Sequence, residues 1–352
     1  MTDPTRPPRC PERRDALALS LVRNIGSLRH RELCARFGSA ARALDENFDV
    51  GISHESRARA DEALARAQAA SLQMLLCTDA AYPERLHDLP DPPAVLWALG
   101  SLEALEPPVV AIVGTRRPTH YGQRMARELA GAFARVGACV VSGMALGIDA
   151  TAHRAVLEQG GRTVAVLGTG ADVAYPPAHR ALHREIASRG TVLSELLPGE
   201  RSNPGSFPNR NRIIAALATV TLIVEAPVKS GALITARHAR DLPNAVVACV
   251  PGPIDAPQSE GTNLEIRDGA QIVCSVADAL ALAGLTPPLR SATALDSEAE
   301  QRVWSALASA AASLDELCAR TALPVRECLA AVTSLEIRGA IECSLTGEIR
   351  RR

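Results

Sequence analysis

Short apolar runs alternate with helix-length segments between residues 109 and 284, and this alternation dominates the pattern of the chain. Runs this short and rich in β-branched residues predict the strands of a parallel α/β sheet that is buried on both faces. Glycine, hydroxyl and basic residues follow the strands, and ligands of such sheets bind outside the carboxyl ends of the strands. The sequence therefore predicts an anion-binding site at this edge. The four clearest runs are Val109–Val113, Ala138–Val141, Thr163–Leu167 and Val220–Val224.

The segments on either side have a helical period. Before the sheet, Leu17, Leu21, Leu28, Leu33, Phe37 and Leu44 recur at helical intervals, with breaks near Gly26 and Gly38. After it, Ser313 and Glu316 have the spacing of a capping box, and a helix that begins at Pro324 and ends at Gly339 places Val325, Leu329, Val332 and Leu335 on one stripe. Two short strands around Gly347 complete a winged-helix-like pattern. The predicted domains are a disordered tail (1–14), a helical domain (15–76), an α/β domain (77–284), a linker (285–297) and a winged-helix-like domain (298–352).

Composition limits how such a chain could bind an anion. The formal net charge is −1, so affinity for a polyanion must come from local clusters of basic residues. Aromatic residues make up 3%, which gives weight to any aromatic beside a basic cluster. The nine cysteines form no C-x-x-C pair, which is typical of reduced thiols. Since the sequence also lacks an apolar leader and a stretch long enough to span a bilayer, we expect a cytoplasmic protein with no membrane partner.

Two of the strand-to-helix turns combine small residues with groups that bind phosphate. In Gly114-Thr115-Arg116-Arg117, glycine allows close approach, Thr115 can donate a hydrogen bond and arginine offers a bidentate fork. The alternative is a turn with two solvated arginines. In the segment Ser142–Asp149, Gly143 and Gly147 permit close approach, and capping of backbone N–H groups is the favoured role of Asp149.

The sharpest local feature is the segment Phe207-Pro208-Asn209-Arg210-Asn211-Arg212, just before an apolar helix. Arginine at the positive end of a helix is unfavourable unless an anion is present. Arg210 and Arg212 can grip a phosphodiester, the asparagines can donate to it, and Phe207 can stack on a base. The alternative is a capped helix start with Phe207 buried.

Other candidate motifs fail. Gly168-Thr169-Gly170 is not a dinucleotide fingerprint, because its sixth position is Val173. Lys229-Ser230 lacks the upstream glycine of a Walker A loop. His179 and His183 share a helical face but have no partner at metal-ligand spacing, so a hydrogen-bonded pair is favoured over a zinc site. We predict no catalytic residue, metal or cofactor.

Taken together and in this order, these motifs resemble the DprA/Smf family of bacterial DNA-processing proteins. The resemblance is strong from about Tyr82 to Leu282 and implies an extended Rossmann-like core, an N-terminal sterile-alpha-motif or hairpin-like helical domain and a C-terminal winged helix. It also implies sequence-independent binding of single-stranded DNA, a homodimer, and handover of the strand to the RecA recombinase in natural transformation, with single-stranded-DNA-binding protein as another candidate partner. The motifs are Ile112–Arg116, Ser142–Asp149, Phe207–Arg212, Ser230–Ala236, Val250–Gly252 and Glu260–Asn263.

The DNA contacts that we predict from the motifs and the resemblance include Arg180 and Lys229 as lesser contributors to a pocket formed mainly by Arg116, Arg210 and Arg212. The full predicted set is Gly114, Thr115, Arg116, Arg117, Ser142, Gly143, Gly147, Arg180, Phe207, Asn209, Arg210, Asn211, Arg212, Lys229, Ser230 and Gly231.

Two departures from the family pattern concern the end domains. Asn24 stands where a hairpin motif would have its first glycine, which argues against DNA contact by the helical domain. The last predicted helix carries Arg326 and Arg338 but also Glu327 and Glu336, so its face is nearly neutral. We therefore predict that the C-terminal domain contacts protein and not duplex DNA.

Two other functions remain open from the sequence. A nucleotide phosphoribohydrolase-like enzyme would share the core, and Glu225 is the one acid that could serve it. A scaffold that senses a small anion would use the same pocket without binding a polynucleotide.

Overall fold

The computed structural model describes residues 11–203, 205–286, 297–308, 310–337, 340–344 and 347–351. The chain forms two compact units, one within residues 1–287 and one within residues 288–352. The predicted linker lies largely outside the described residues. The end of the last predicted helix, with Arg338 and Gly339, also lies outside them.

The amino-terminal helices pack closely on one another and on the sheet. Leu17, Leu33 and Leu44 are fully buried in a core that also contains Trp97 and Val192 of the sheet. Leu28, from the same predicted stripe, is 49% exposed. The helices are α1 (Pro11–Ser20), α2 (Ser27–Phe37), α3 (Ala40–Asn47) and α4 (Val50–Ala69).

The structure corrects the predicted tail and shows the conformation of Asn24. The predicted disordered tail is wrong for residues 11–14, which lie in α1, where Arg13 donates to the Asp79 carboxylate at 2.8 Å and Arg14 pairs with Asp61. Asn24 has a φ of +64°, a left-handed conformation that asparagine tolerates better than most residues. The replacement of glycine there is therefore compatible with the turn between α1 and α2.

In the first unit, the described residues form a nine-stranded sheet in the order β1-β2-β6-β5-β4-β3-β7-β8-β9. Strands β3 to β9 run parallel, β2 is antiparallel to β6, and β1 is antiparallel to β2. The edge strand β1 was not predicted, because its four residues continue the helical pattern that precedes them. The strands are β1 (Gln73–Leu76), β2 (Val95–Gly100), β3 (Val109–Val113), β4 (Cys139–Ser142), β5 (Thr163–Val166), β6 (Thr191–Ser194), β7 (Val220–Ile223), β8 (Val246–Cys249) and β9 (Gln271–Ile272).

Helices cover both faces of the sheet, as the uninterrupted apolar runs predict. Along β3, Val109, Ala111 and Val113 enter one core cluster, while Val110 and Ile112 enter another on the opposite face. The helices of this region are α5 (His120–Arg135), α6 (Ile148–Glu158), α7 (Arg180–Arg189), α8 (Ser206–Leu217), α9 (Gly231–Arg240), α10 (Glu260–Arg267) and α11 (Val276–Leu282). None of the helices within the described ranges combines the length and apolar character needed to span a membrane.

The described residues of the carboxyl-terminal unit form three helices and an antiparallel hairpin, the arrangement of a winged helix. The predicted capping box is confirmed, since Ser313 and Glu316 each bind the backbone N–H group of the other. The predicted apolar stripe is only half right: Val332 and Leu335 are buried, but Val325 and Leu329 are 58% and 50% exposed. The elements are α12 (Glu298–Ala306), α13 (Leu314–Thr321), α14 (Val325–Ile337), β10 (Ile341–Cys343) and β11 (Ile349–Arg351).

Candidate nucleic-acid interface

A cavity of about 560 Å³ opens where the strand order of the sheet reverses, between the carboxyl ends of β3 and β7. The chain leaves β3 toward β4 on one side and returns to β7 on the other, which is the switch point where ligands of open α/β sheets bind. The volume falls within the about 300–1,000 Å³ of typical ligand pockets. The predicted DNA contacts that line this cavity are Gly114, Thr115, Arg116, Arg117, Phe207, Arg210, Asn211, Lys229, Ser230 and Gly231.

The turn after β3 presents two arginines to the solvent. The Thr115 N–H group donates to the Glu225 carbonyl at 2.6 Å, and the Thr115 hydroxyl accepts from the Arg117 N–H group at 3.2 Å. Thr115 is buried, whereas the side chains of Arg116 and Arg117 are exposed. The turn is thus fixed from inside, and the Arg116 guanidinium lies 5.8 Å from the centre of the Phe207 ring.

The turn after β4 supports the cavity from behind. The Asp149 carboxylate accepts from the N–H groups of Gly143 and Ala145, at 3.1 and 3.3 Å. These groups belong to the turn before α6, and the start of that helix has no side-chain cap, so Asp149 binds backbone N–H groups of the turn and not those of the helix as predicted. Burial raises the pKa of Asp149, and the Arg210 guanidinium opposes this shift. The Ser142 hydroxyl donates to the Ile112 carbonyl at 2.6 Å, inside the sheet. Ser142 and Gly147 therefore act here as structural residues and do not line the cavity.

Gly147 is required by the packing of the two turns. Its φ is +85°, and a Cβ atom at this position would lie 2.3 Å from the Thr115 carbonyl oxygen. A side chain would clash with backbone and adopt an unfavourable conformation. The close approach expected of this glycine is therefore made to the protein's own backbone and not to a ligand.

Arg210 is buried beneath the cavity instead of extending into solvent. Its side chain is largely enclosed, and Nη1 donates to the Gly143 carbonyl at 2.8 Å and to the Val166 carbonyl. Burial lowers the pKa of Arg210 to about 10, against the opposing effect of Asp149. The guanidinium remains charged at neutral pH. It lines the cavity as a fixed positive group with no free bidentate fork.

Arg212 faces away from the cavity, which corrects the prediction that it lines the pocket with Arg210. Its Nη2 atom donates to both carboxylate oxygens of Glu195, at 2.6 and 2.7 Å, and its side chain is 15% exposed. Residues two apart on a helix are separated by about 200°, so Arg210 and Arg212 cannot share a face of α8. The prediction placed both arginines on one surface because it did not take the helical period into account.

The asparagines of the same segment have different positions. Asn211 accepts from Arg210 Nε at 3.2 Å and donates from Nδ2 to the Gly231 carbonyl at 3.1 Å, which ties α8 to the start of α9. Asn209 is exposed and does not line the cavity.

The amino-terminal end of α9 forms the far wall. Ser230 caps this helix by accepting from the Ala232 N–H group at 3.3 Å, and Lys229 is exposed just before it. A helix start of this kind, with a lysine beside it, favours an anion. Pro257 and Gln258, which follow β8, also line the cavity and were not predicted. Because they follow the strand next to β7, the sequence could have placed them at this edge of the sheet. They were not predicted, because their loop carries no basic residue to indicate an anion site.

Arg180 and the histidine pair of the sequence analysis lie outside this cavity. Arg180 begins α7, is exposed and lines neither this cavity nor a smaller one beside it. His179 and His183 hydrogen-bond to the carbonyls of Met144 and Ala171, at 2.9 and 2.8 Å, in accord with the favoured interpretation. Across the described ranges, no group of three or more His, Cys, Asp or Glu residues is arranged to hold a metal ion.

Glu225, the acid that a hydrolase would need, is part of the scaffold. Its buried carboxylate accepts from the Thr119 N–H group at 2.8 Å and from the Thr119 hydroxyl at 2.6 Å. Thr119 caps α5, so Glu225 fixes the start of this helix. The carboxylate does not line the cavity.

We expect Gly143→Ala to destabilise the protein by about 1–3 kcal/mol, because a Cβ atom there would lie 2.5 Å from Nη2 of Arg210 and displace a buried guanidinium from its carbonyl partners. Urea denaturation measures the change. Gly51→Ala in α4 is a matched control, since its Cβ would meet nothing within 4 Å and alanine favours a helix. Equal stability of the Gly143 variant and wild type would show that Arg210 is not held as described.

Comparison with known proteins decides the family. The sequence model of a family described as DNA recombination-mediator protein A matches residues 73–284, and that of the DprA winged helix domain matches residues 286–344. The chain belongs to the DprA/Smf family. The predicted fold is confirmed with it: an extended Rossmann-like core with a helical amino-terminal region and a carboxyl-terminal winged helix.

Relatives cover different shares of the chain. Protein Smf of Synechocystis is 45% identical over 221 residues, which is 62% of this chain and 55% of that protein. A putative DNA processing protein DprA of Mycobacterium tuberculosis is 42% identical over 261 residues, 71% of this chain and 67% of its own length.

Two solved DprA structures share the fold. The X-ray structure of DprA from Streptococcus pneumoniae has a TM-score of 0.66 and 33% identity, and the match covers 76% of this chain and 95% of that one. DprA from Helicobacter pylori, whose structure concerns a single-stranded DNA binding mode, has a TM-score of 0.53 and 33% identity, with 59% of this chain and 94% of that one covered.

Proposed function

We propose that this protein binds single-stranded DNA without sequence specificity in the cavity between β3 and β7 and acts as a recombination mediator. The observation that carries the proposal is the position of the exposed Arg116 guanidinium, 5.8 Å from the centre of the Phe207 ring at the same cavity. One group binds a phosphate and the other presents a face to a base. A single strand offers both, whereas a duplex keeps its bases stacked inside.

The charge of the cavity favours a polyanion. Among the described residues that line it, Arg116, Arg117, Arg210 and Lys229 are basic, and Asp149 is the acidic one. The Asp149 carboxylate is already bound to backbone N–H groups. The local charge is thus positive even though the whole chain has a formal charge of −1.

The lining also explains why binding should not depend on sequence. An aromatic ring stacks on any base, and arginine, lysine and a helix start recognise phosphates that every nucleotide carries. The single-stranded DNA binding mode named for the H. pylori relative supports single-stranded DNA as the ligand of this cavity.

The family supports a role beyond binding. We propose that the chain is a homodimer that loads RecA onto single-stranded DNA, including strands covered by single-stranded-DNA-binding protein, without an enzymatic step of its own. RecA ATPase activity on covered single-stranded DNA tests this. Addition of the full chain should shorten the lag before ATP hydrolysis, and Arg116→Ala should not. An unchanged lag with a wild-type chain that binds the strand would contradict the mediator role and leave DNA binding intact.

The hydrolase and small-anion alternatives differ in what they bind. Release of base from a nucleoside monophosphate would support an enzyme, although Glu225 is engaged with Thr119. Tight binding of a mononucleotide without affinity for an oligomer would support an anion-sensing scaffold. The half-buried Phe207 ring that lines the cavity beside Arg116 argues against a site built for a small anion alone.

A further inference from the structure

A second, smaller cavity adjoins the first at Phe207. It measures about 70 Å³, and Phe207, Arg116 and Arg210 line both cavities. Its remaining wall comes from the turn after β4, through Leu146, and from Tyr175 in the loop after β5. A cavity this small cannot enclose a nucleotide, since pockets that enclose ligands start at about 300 Å³. A planar group could only lie across its mouth.

The rim of the smaller cavity is apolar and exposed. Tyr175 is 39% exposed and Leu146 is 47% exposed. Single exposed apolar residues are common on protein surfaces, but these two border one cavity beside an arginine. The Tyr175 and Phe207 rings lie 5.1 Å apart between centres and are tilted by 39°, so the two aromatic side chains are neighbours with different orientations. The chain has only three tyrosines and four phenylalanines.

From this arrangement we propose a second nucleobase subsite formed by Tyr175 and Leu146, which takes the base next to the one that stacks on Phe207. This rests on the proposed function. Arg116 borders both cavities and thereby binds the phosphate that joins the two nucleotides. The strand passes over Phe207 with one base on either side of the shared arginine.

The lining shared by the two cavities and the chemistry of the rim restrict what the smaller cavity can hold. The occupant of the smaller cavity must be compatible with the polyanion in the larger one, because both share the Arg116 guanidinium. It must also have a flat apolar face, because a phenol ring and a leucine side chain form the rim. A nucleobase on the same strand meets both conditions. Stacking on an aromatic is worth enough to weaken binding by about 5- to 100-fold when the ring is removed.

Crosslinking provides the direct test. A short poly-dT oligomer in which the thymines are replaced by 5-iodouracil is bound to the full chain and irradiated, and the crosslinked residues are identified by mass spectrometry. We expect crosslinks at both Phe207 and Tyr175. Crosslinks at Phe207 without any at Tyr175 would overturn the second subsite and leave the proposed function standing.

Affinity measurements separate stacking from a purely structural role of Tyr175, which also packs on Phe207. We expect Tyr175→Ala to weaken binding of a dT oligomer by about 5- to 100-fold and to leave the affinity for thymidine 3′,5′-bisphosphate unchanged. Tyr175→Phe should bind the oligomer nearly as well as wild type. Equal losses for the oligomer and the bisphosphate would mean that Tyr175 only supports Phe207, and would overturn the proposal. No loss of oligomer affinity in Tyr175→Ala would likewise overturn the second subsite. If Arg116→Ala had no effect on the oligomer either, the proposed function itself would be contradicted.

Discussion

Replacing Arg116 with alanine is expected to weaken binding of a labelled poly-dT oligomer by about 10- to 100-fold at low salt, because a hydrogen bond to a charged group contributes about 1.5–3 kcal/mol. Arg116 is exposed, adjoins Phe207 and lines both cavities. Its loss removes a phosphate contact that every strand makes. Oligomers of different sequence should therefore lose affinity to the same extent.

The control for this variant is another exposed arginine of the same unit. Arg154 of α6 lines neither cavity, so Arg154→Ala should bind like wild type. Equal losses in the two variants would mean that general charge, and not this cavity, determines affinity. A loss confined to certain sequences in the Arg116 variant would point to recognition of base edges and contradict the mechanism.

Replacing Arg212 with alanine is expected to reduce stability and to leave DNA affinity unchanged. The variant should be less stable by about 1.5–3 kcal/mol, because the half-buried Glu195 carboxylate loses both hydrogen bonds from Arg212. The folded variant should bind poly-dT as wild type does. Urea denaturation and fluorescence anisotropy measure the two quantities. A variant that is fully stable but loses DNA affinity would restore Arg212 to the binding surface.

The pH dependence of the Arg212 variant gives a second check. Burial raises the pKa of Glu195, and Arg212 opposes this shift, so removing Arg212 should raise that pKa further. A carboxyl whose folded-state pKa is raised favours folding when protonated, and this contribution is lost as the pH rises from its unfolded pKa through its folded pKa. The stability difference between wild type and variant should therefore be smaller at acid pH than at neutral pH. Glu195→Gln should remove most of that dependence.

Much of the fold follows from the sequence for a simple physical reason. A strand whose residues are all apolar is stable only when helices cover both faces of its sheet. Parallel strands also place their carboxyl ends at the same edge of the sheet. Thr115 and Ser230 could therefore be assigned to one site, although they lie 115 residues apart in the sequence. The same argument could have placed Gln258 there, had its loop carried a basic residue.

The errors arise where a side chain's partner is distant in the chain. Arg210 is buried because carbonyl groups of Gly143 and Val166 converge on it, and no local pattern shows this. Arg212 is directed to Glu195 by the helical period of α8. On α14, Leu329 lies just outside the buried stripe, whereas Cys328 is fully buried. Each case requires knowledge of which helix face meets the core.

The most direct test of the central claim is to titrate the protein with a labelled poly-dT oligomer and with the matched duplex at several salt concentrations, in parallel with Arg116→Ala. We predict a strong preference for the single strand, with log affinity falling against log salt by about 0.7 for each phosphate neutralised. The Arg116 variant should bind more weakly and with a shallower slope. Equal affinity for strand and duplex, or an Arg116 variant indistinguishable from wild type, would contradict the assignment of this cavity to single-stranded DNA.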